Sequence, residues 1–219
     1  MTLALFDLDN TLIAGDSDHL WGEFLVAEAL VDSTHYRAEN DRFYEDYKAG
    51  VLDVNAYLAF VLEPLTRFSL DELEQLHQRF MAGYIEPVML PQATRLLDWH
   101  RQQGHRLMIV TATNDFITAP IAERLGVTEL IAPIAERVDD RYTGQVVGIP
   151  SFREGKVVRL EQWLAEHNEN LTGSYFYSDS FNDLPLLERV DNPVAVDPDD
   201  TLRAQAQAQG WSIISLRGD

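Results

Sequence analysis

Cysteine is absent from this sequence of 219 residues. Disulfide bonds are therefore excluded, and a metal site could not use thiolate ligands. Harder donors would have to build such a site, and carboxylate oxygens favour Mg²⁺ over zinc or copper.

Basic residues are scarce: Lys and Arg number 17 against 36 Asp and Glu, and the formal net charge is −19. A surface with this excess of negative charge repels nucleic-acid phosphates and anionic lipid headgroups. We therefore expect neither a nucleic-acid partner nor binding to a membrane surface. Most of the acidic residues are expected to form a solvated surface.

Long apolar runs are also missing. The first apolar run is interrupted at Asp7 and Asp9, and no basic region precedes it, so the N-terminus does not resemble a signal peptide or a membrane span. These bounds fit a cytoplasmic enzyme of small-molecule metabolism, present as a monomer or a homodimer.

Repeats, low-complexity tracts and linkers rich in Pro, Gly or Ser are not found, so any second domain must be an insertion. Residues 15–88 show the apolar spacing of helices throughout, whereas strands and helices alternate from Met89 onward. This pattern predicts an α/β fold. A doubly wound, Rossmann-like parallel sheet would form the core from residues 1–14 and 89–219, with residues 15–88 as an inserted α-helical cap.

Local signals predict individual elements within these regions. Ser69 and Glu72 have the spacing of a capping box at the start of a helix. Pro91 suits the first position of a helix, and Gly126 suits the end of another. Asp139-Asp140 separates two runs of strand-forming residues, which indicates a β-hairpin.

Two acidic residues, Asp7 and Asp9, follow the apolar run Leu3-Ala4-Leu5-Phe6. The run is typical of a strand buried on both faces of a parallel sheet, and ligands bind at the C-terminal ends of such strands. Residues two apart in extended backbone project to one side, so one carboxylate could act as a nucleophile and the other as a proton donor. The alternative is a strand that ends in a solvated Asp-Asn turn.

A second acidic cluster lies far downstream. Residues 174–178 have the pattern of a short buried strand and lead directly into Asp179 and Asp183. Together, the two clusters would bring four carboxylates to one edge of one sheet, where their mutual repulsion requires a cation. Oxygen ligands of this kind predict Mg²⁺.

Two further candidates lie between the acidic clusters. Thr111 ends a predicted strand that begins at His105, and Lys156 opens an amphipathic helix directly after Gly155. Taken alone, Thr111 is at least as well explained as a helix N-cap, and Lys156 as a surface residue. Their place in the series of motifs makes them candidates for function.

Four sites in the sequence, taken in chain order, resemble the four motifs of the haloacid-dehalogenase-like hydrolase superfamily: Asp7-x-Asp9-x-Thr11, Thr111, Lys156 and Asp179-x-x-x-Asp183. The resemblance extends over nearly the whole chain. The helical insertion begins a few residues after the first motif, which is similar to the phosphoserine-phosphatase-like branch with its helical cap. Within that branch the sequence most resembles the bacterial histidinol-phosphate phosphatases.

The resemblance implies a Mg²⁺-dependent phosphatase. Asp7 would attack phosphorus to form an aspartyl-phosphate, and Asp9 would protonate the leaving alkoxide and then take a proton from the hydrolytic water. An acid at Asp9 is informative, because the dehalogenases of the superfamily lack one there and its cation-pumping ATPases have threonine. Asp7, the backbone carbonyl of Asp9 and Asp179 would hold the Mg²⁺ ion.

The resemblance gives the other motif residues supporting roles. Thr111 would donate its hydroxyl to a phosphate oxygen, and Lys156 would offset the negative charge shared by Asp7 and the phosphoryl group. Asn182 and Asp183 would position Lys156 and the metal-bound waters.

Asp16 is a candidate for substrate binding. Its distance from Asp7 in the sequence matches that of the cap carboxylate that receives the substrate's ammonium group in phosphoserine phosphatases. The alternative is that Asp16 is the N-cap of the helix leading to Trp21, although Asp18 competes for that position. We expect His19 to be a surface or capping histidine.

The sequence departs from phosphoserine phosphatases in two respects. Ala112-Thr113-Asn114 replaces the glycines of their second motif, and none of Arg37, Arg42 and Arg67 stands out as a partner for the serine carboxylate. Histidinol phosphate keeps the ammonium group and lacks that carboxylate, so we expect this substrate and a role in histidine biosynthesis. Alternatives are phosphoserine or another small phosphate ester, a phosphomutase, and a non-catalytic binding module that kept the fold.

Overall fold

The computed structural model describes residues 1–218. Its strands are β1 (Leu3–Phe6), β2 (Arg106–Val110), β3 (Glu129–Ile131), β4 (Ile134–Val138), β5 (Arg141–Val147), β6 (Tyr175–Ser178), β7 (Asn192–Val196) and β8 (Ser212–Ile214). Six of them form one parallel sheet in the order β3-β2-β1-β6-β7-β8. The predicted α/β fold with a doubly wound parallel sheet is confirmed.

Helices connect and cover these strands. They are α1 (Ser17–Ala27), α2 (Ser33–Lys48), α3 (Val54–Leu62), α4 (Leu70–Phe80), α5 (Pro91–Gln102), α6 (Asp115–Arg124), α7 (Glu154–His167), α8 (Leu184–Leu187) and α9 (Asp200–Gln209). Within residues 1–218, no helix combines the length and the apolar character that a membrane crossing requires.

Strand β1 shows why the sheet is covered on both faces. Leu3 and Leu5 pack with α7, α8 and α9, whereas Ala4 and Phe6 pack with α5, α6 and the helices that precede them. Because both faces are buried, the strand is apolar at every position. The strand order reverses between β1 and β6, and ligands bind at such a point, beyond the C-terminal ends of the strands.

The segment between β1 and α5 is helical, with four capped α-helices. The N-caps of α1, α2, α3 and α4 are Asp16, Asp32, Asp53 and Ser69. The predicted capping box is confirmed, because the side chains of Ser69 and Glu72 each accept from the other's backbone N–H. Short turns of other helix types, Glu63–Arg67, Met81–Ile85 and Glu86–Val88, complete the segment.

An aromatic cluster joins this helical segment to α6. Trp21 on α1 packs against Phe80 on α4 and against Phe116 on α6, with ring centroids 5.1 and 5.2 Å apart. His77 completes the contact, with its Nε2 3.3 Å from the Ile117 carbonyl oxygen. The division into a core and a cap of residues 15–88 remains a proposal, and Asp219, the last residue of the proposed core, lies outside the described residues.

The predicted hairpin is confirmed as β4 and β5. Asp139 and Asp140 form its turn with φ values of 48° and 60°, a left-handed conformation that short Asp side chains tolerate. Strand β5 packs against α3 and Glu63–Arg67. The hairpin therefore packs against the helical segment.

Strand β2 begins one residue later than predicted. The backbone N–H of His105 donates to the His100 carbonyl at 3.1 Å, so His105 closes the turn after α5 instead of entering the sheet. Pro91 is the first residue of α5, as predicted. Gly126 follows Leu125, the C-cap of α6, and its positive φ of 68° ends the helix there, as predicted.

His100 gives the fold a measurable pH dependence. It is fully buried, with Nε2 2.9 Å from the Tyr177 hydroxyl and Nδ1 2.8 Å from Nδ1 of His105. Burial, together with the charge of the neighbouring His105, lowers the pKa of His100 from 6.5 to about 4. The folded state thus binds this proton less readily than the unfolded chain, so its stability contribution is lost as the pH falls from about 6.5 toward 4.

We therefore expect the unfolding free energy of His100→Gln, measured in urea, to fall less steeply than that of the wild type between pH 7 and pH 4.5. The exposed His35 provides the matched control, and His35→Gln should keep the wild-type slope. Equal slopes for wild type and His100→Gln would contradict this account.

Candidate active site

The strand ends bring the predicted residues to one edge of the sheet. β1 pairs with β6 in the register Phe6 to Tyr177, and the backbone N–H of Asp7 donates to the Tyr177 carbonyl at 2.9 Å. Asp7 and Asp179 therefore follow neighbouring strands. Because β2 lies on the other side of β1, Thr111 flanks Asp7 there.

Lys156 lies between two carboxylates. Its Nζ atom is 2.7 Å from Oδ1 of Asp7 and 2.7 Å from Oδ1 of Asp183, and the residue is only 2% exposed. Burial alone would lower the pKa of Lys156, but the charges of Asp183 and Asp7 outweigh it and raise that pKa. Lys156 therefore carries a buried positive charge, and it is not the surface residue of the alternative interpretation.

A close backbone contact positions Lys156. At Gly155, a Cβ atom would lie only 2.0 Å from the Pro150 carbonyl oxygen, so any other residue would push α7 away from this loop. Because residue 155 is glycine, α7 can pack close to this loop. The next residue, Lys156, then reaches Asp7.

Asp7 is buried, and its charge state reflects the groups around it. Burial, together with the charges of Asp183 and Asp9, outweighs the effect of Lys156 and raises the pKa of Asp7 to about 7. One ammonium group therefore does not neutralise the carboxylates at this edge, and a further cation would favour the ionised form.

Asp179 shares a hydroxyl with Asp7. Thr11 Oγ1 lies 3.2 Å from Oδ1 of Asp179 and 3.5 Å from Oδ2 of Asp7, and it accepts the backbone N–H of Asp179 at 3.1 Å. Burial and the charges of Asp7 and Asp183 raise the pKa of Asp179 well above its ordinary value. In the described part of the chain, Asp179 has no ion-pair partner.

The carboxylates do not form a metal cage by themselves. Within residues 1–218, no group of three or more His, Cys, Asp or Glu side chains is placed to hold a metal ion. The Asp9 carboxylate is turned toward Ser17 and Thr113, and the Asp183 carboxylate is paired with Lys156. A cation next to Asp7 and Asp179 would thus be bound by two carboxylates, with backbone and water oxygens for the rest.

Asp9 is held by two hydrogen bonds. Its Oδ1 accepts from the Ser17 backbone N–H, and its Oδ2 accepts from the Thr113 hydroxyl, both at 2.7 Å. Burial and the nearby charge of Asp16 raise the pKa of Asp9 to about 6. This value suits a group that must give and take a proton near neutral pH.

Thr111 is not a helix N-cap. Asn114 has that position, because its side chain accepts from the backbone N–H of Ile117 at 3.3 Å. The Thr111 hydroxyl oxygen accepts from the Thr113 N–H at 3.2 Å, which leaves its proton available for another acceptor. Thr111 is buried beside the same cavity as Asp7.

Asp16 is the N-cap of α1, and the suggestion that Asp18 competes for that position is wrong. Oδ1 of Asp16 accepts the backbone N–H groups of Asp18 at 3.1 Å and His19 at 2.9 Å. Asp18 is buried within the first turn of α1, and within the described residues neither of its carboxylate oxygens has a hydrogen-bond partner. Asp16 lines the cavity as well, so its position as an N-cap leaves it exposed to a ligand bound there.

The side chain of Asn182 contacts the helical segment instead of Lys156. Its Nδ2 donates to the Tyr47 carbonyl at 3.3 Å, and its Oδ1 accepts from Nε of Arg153 at 2.9 Å. Arg153 also donates to the Gly50 carbonyl at 2.5 Å. Asn182 and Arg153 therefore tie the C-terminal end of α2 to the sheet edge, whereas Asp183 contacts Lys156 as expected.

The helical segment encloses a cavity above the sheet edge. Three carboxylates line it: Asp7, Asp9 and Asp16. Five aromatic side chains also line it: Phe43, Tyr44, Tyr47, Tyr57 and Phe152. His19 and Asn40 complete its polar wall, and the lining residues described here include no lysine or arginine.

Sequence reasoning missed several contributors to this site. Thr113 and Arg153 bond to motif residues more than 25 positions away, so no local pattern marks them. His19 is expected from the sequence to be a surface or capping histidine, whereas the structure places it in the lining of the cavity. Its spacing of three residues from Asp16 was the one available signal, because these positions share the first turn of a helix.

Comparison with known proteins places the chain in a class. Residues 4–188 match the haloacid dehalogenase-like hydrolases, and the chain belongs to this family. It is a phosphoric monoester hydrolase.

Particular relatives are similar over nearly the full length. A histidinol-phosphatase from Neisseria meningitidis is 46% identical over 98% of this chain and 99% of its own length. A phosphoserine phosphatase from Mycobacterium tuberculosis is 32% identical over 98% of this chain and 70% of its own length.

Solved structures agree with the fold. A protein of unknown function from Bordetella pertussis superposes with a TM-score of 0.92 at 46% identity, covering 99% of this chain and 100% of that one. A substrate-bound phosphoserine phosphatase superposes with a TM-score of 0.72 at 18% identity, covering 100% of this chain and 94% of that one. At this identity the second match shows a shared fold.

The buried ion pairs predict a large effect at Lys156. Lys156→Met leaves Asp7 and Asp183 without their cation, and losing one partner of a buried pair costs about 3–5 kcal/mol. We expect that loss in the unfolding free energy measured in urea at pH 8. Adding Asp183→Asn should recover part of the stability, because one of the two unpaired charges is then removed.

Lys48 provides the matched control for this experiment. Its side chain is 50% exposed and pairs with Glu45, so Lys48→Met should change the unfolding free energy by less than about 1 kcal/mol. If Lys156→Met is no less stable than Lys48→Met, the buried pairs do not stabilise the fold.

Proposed function

We propose that this protein hydrolyses histidinol phosphate through an aspartyl-phosphate at Asp7, with Mg²⁺ as its cofactor. The observation that carries the proposal is a cavity lined by Asp7, by the carboxylate of Asp16 and by aromatic side chains, with no lysine or arginine among its described lining residues. The similarity to a histidinol-phosphatase over nearly the full length supports the same substrate.

The first half of the reaction forms the covalent intermediate. A carboxylate oxygen of Asp7 attacks phosphorus in line with the ester oxygen, and the bond from phosphorus to that oxygen breaks. The departing alkoxide takes the proton of the Asp9 carboxyl group. Lys156, 2.7 Å from Asp7, and the hydroxyl proton of Thr111 face the added negative charge of the phosphoryl group.

The second half releases phosphate. Water attacks the phosphorus of the aspartyl-phosphate and loses a proton to Asp9, and the bond from phosphorus to the Asp7 oxygen breaks. Asp9 thus acts first as an acid and then as a base, which a pKa of about 6 permits. Its hydrogen bonds to Ser17 and Thr113 keep the carboxyl group in place for both steps.

The residues at the sheet edge fit Mg²⁺. Asp7, Asp179 and the backbone carbonyl of Asp9 offer only oxygen, and this ion is commonly held by one or two carboxylates with water and substrate phosphate. The shift in the pKa of Asp179 and the absence of an ion pair at its described contacts favour a cation there. When bound, Mg²⁺ would neutralise phosphate charge and orient the ester.

The cavity favours an aminated phosphate without a carboxylate. Asp16 offers one negative charge to an ammonium group, and no lysine or arginine among the described lining residues could meet a carboxylate. The arginines considered from the sequence each pair with a surface glutamate: Arg37 with Glu23, Arg42 with Glu39 and Arg67 with Glu63. Phosphoserine would therefore leave its carboxylate without a counter-charge.

Phosphoserine hydrolysis is the second candidate function. The 32% identical phosphoserine phosphatase is the observation that favours it. A phosphomutase would share Asp7 and Asp9 but would have to keep its intermediate from water.

We expect EDTA to stop phosphate release and Mg²⁺ to restore it. Mg²⁺ should also raise the melting temperature, since it binds the folded state, and Asp179→Asn should lose most of that rise.

Asp7→Asn should lose turnover by many orders of magnitude while its circular dichroism spectrum is kept. The control Asp140→Asn, at a side chain that is 91% exposed, should behave as the wild type.

Full activity in excess chelator would remove the metal from the proposal. Turnover of Asp7→Asn within tenfold of the wild type would show that Asp7 is not the nucleophile.

The substrate prediction compares kcat/KM for histidinol phosphate, phosphoserine and an aryl phosphate. The wild type should prefer histidinol phosphate. Asp16→Asn should lower the ratio of histidinol phosphate to aryl phosphate strongly, because removing one partner of a desolvated charge pair costs ~2–5 kcal/mol. Asn is as good an N-cap as Asp, so this substitution separates the charge from the cap.

Three outcomes would change the assignment. A wild type that prefers phosphoserine selects the second candidate. An equal loss of kcat/KM for all three substrates in Asp16→Asn would show that Asp16 acts only as a helix cap. An isomerised product without free phosphate would indicate a phosphomutase.

A further inference from the structure

His19 faces the cavity from the first turn of α1. Its ring lies beside that of Tyr44, with centroids 5.1 Å apart, and both residues line the cavity that holds Asp7 and Asp16. The reaction steps above do not use His19. Its surroundings nevertheless determine how it can act.

Asn40 on α2 determines the hydrogen-bonding state of His19. Its amide Nδ2 lies 3.2 Å from the His19 backbone carbonyl oxygen and 3.1 Å from Nδ1 of the His19 ring. A carbonyl oxygen only accepts hydrogen bonds, so the amide group facing it must be the NH₂ and not the oxygen. The same NH₂ can only donate, and Nδ1 must therefore be the acceptor.

The proton of the neutral His19 ring is thus on Nε2. Within residues 1–218, Nε2 has no hydrogen-bond partner, whereas Nδ1 is occupied by Asn40. Serine, threonine and tyrosine hydroxyls can donate or accept, but this ring nitrogen is committed to donating. His19 consequently offers one N–H donor of defined position.

The contact that holds Asn40 requires a glycine on α1. A Cβ atom at Gly22 would lie 2.5 Å from Nδ2 and 2.9 Å from Cγ of Asn40, and the Asn40 side chain is buried. Gly22 has no positive φ, so close approach is the reason for glycine here. The pair of α1 and α2 is therefore built around this amide.

We propose that His19 and Tyr44 form the subsite for a nitrogen heterocycle of the substrate, in which the Nε2–H group of His19 donates to the unprotonated ring nitrogen. Asn40 is a positioning residue that holds His19 in this tautomer. The inference rests on the proposed function and deepens it, since it assigns the group that distinguishes histidinol phosphate from other aminated phosphates.

The position of Asp16 agrees with this subsite. The backbone N–H of His19 donates to Oδ1 of Asp16 at 2.9 Å, so the two residues are direct neighbours at the start of α1. In histidinol phosphate a single methylene separates the amine-bearing carbon from the imidazole. A carboxylate for the ammonium group and a donor for the ring must therefore be adjacent, as they are here.

The test compares histidinol phosphate with phenylalaninol phosphate at pH 8, where the imidazole is unprotonated. The two esters share the ammonium group and differ in the ring, which is an imidazole with two nitrogens in one and a phenyl group without nitrogen in the other. We expect the ratio of their kcat/KM values to fall about five- to tenfold in His19→Phe, mainly through KM, as for one neutral hydrogen bond.

Two nearly isosteric variants serve as matched controls. The amide nitrogen of His19→Gln can reach the place of Nε2, so this variant should recover most of the ratio. His19→Asn reaches only the place of Nδ1 and should behave like His19→Phe. A ratio that is the same in all three variants and the wild type would overturn the subsite.

The positioning role of Asn40 has its own measurement. Nitrogen-15 NMR of the full-length protein should show His19 with Nε2 protonated and Nδ1 bare, and Asn40→Leu or Gly22→Ala should populate the other tautomer. Asn40→Leu should also lower the substrate ratio. A wild-type spectrum with Nδ1 protonated would overturn the assignment without any substrate.

Different results would overturn the proposed function and the subsite. If the wild type does not prefer histidinol phosphate to phosphoserine, the proposed function and this subsite are both overturned. If the preference is present but is unaltered in His19→Phe, the function stands and only the subsite is overturned.

Discussion

The buried ammonium group of Lys156 is the interaction on which the rest of the site depends. It bridges Asp7 and Asp183, which lie 149 and 27 positions from it in the sequence. A charge removed from water is tolerated only when partners satisfy it, so β1, α7 and the segment after β6 must meet at one place. The Ser178 hydroxyl donates to Asp183 at 2.7 Å, which gives this buried carboxylate a further hydrogen bond.

Enclosure by the helical segment gives that cluster its chemical character. Contacts from Asn182 and Arg153 to α2, and from Trp21 to α6, hold the helices over the sheet edge. The carboxylates below are therefore desolvated, which raises the pKa values of Asp7 and Asp9 toward neutrality. The same enclosure makes the binding of a further cation, or of a cationic substrate, more favourable than it would be in an open cleft.

The two parts of the site have different tasks in this arrangement. The strand ends supply Asp7, Asp9 and Thr111, which face the phosphate in the proposed reaction. The helices supply Asp16 and His19, which would face the remainder of the proposed substrate. Asp16 and His19 lie at the start of α1, next to the loop that carries Asp9. A substrate bound by these two residues would therefore also be within reach of the Asp9 carboxyl group.

The sequence by itself determined most of the elements and the candidate reacting groups. Apolar runs, the Ser69 capping box and the Asp139-Asp140 turn are local signals, and the carboxylates at the ends of two buried strands had to share one sheet edge. Tertiary structure decided what depends on distant residues. Asp16 caps α1 although Asp18 competed for that position in the sequence, and Asn182 bonds to α2 instead of Lys156. The tautomer of His19 is fixed by an amide 21 positions away. The physical reason is that hydrogen-bond direction and desolvation are properties of the packed chain, and no local pattern of residues specifies them.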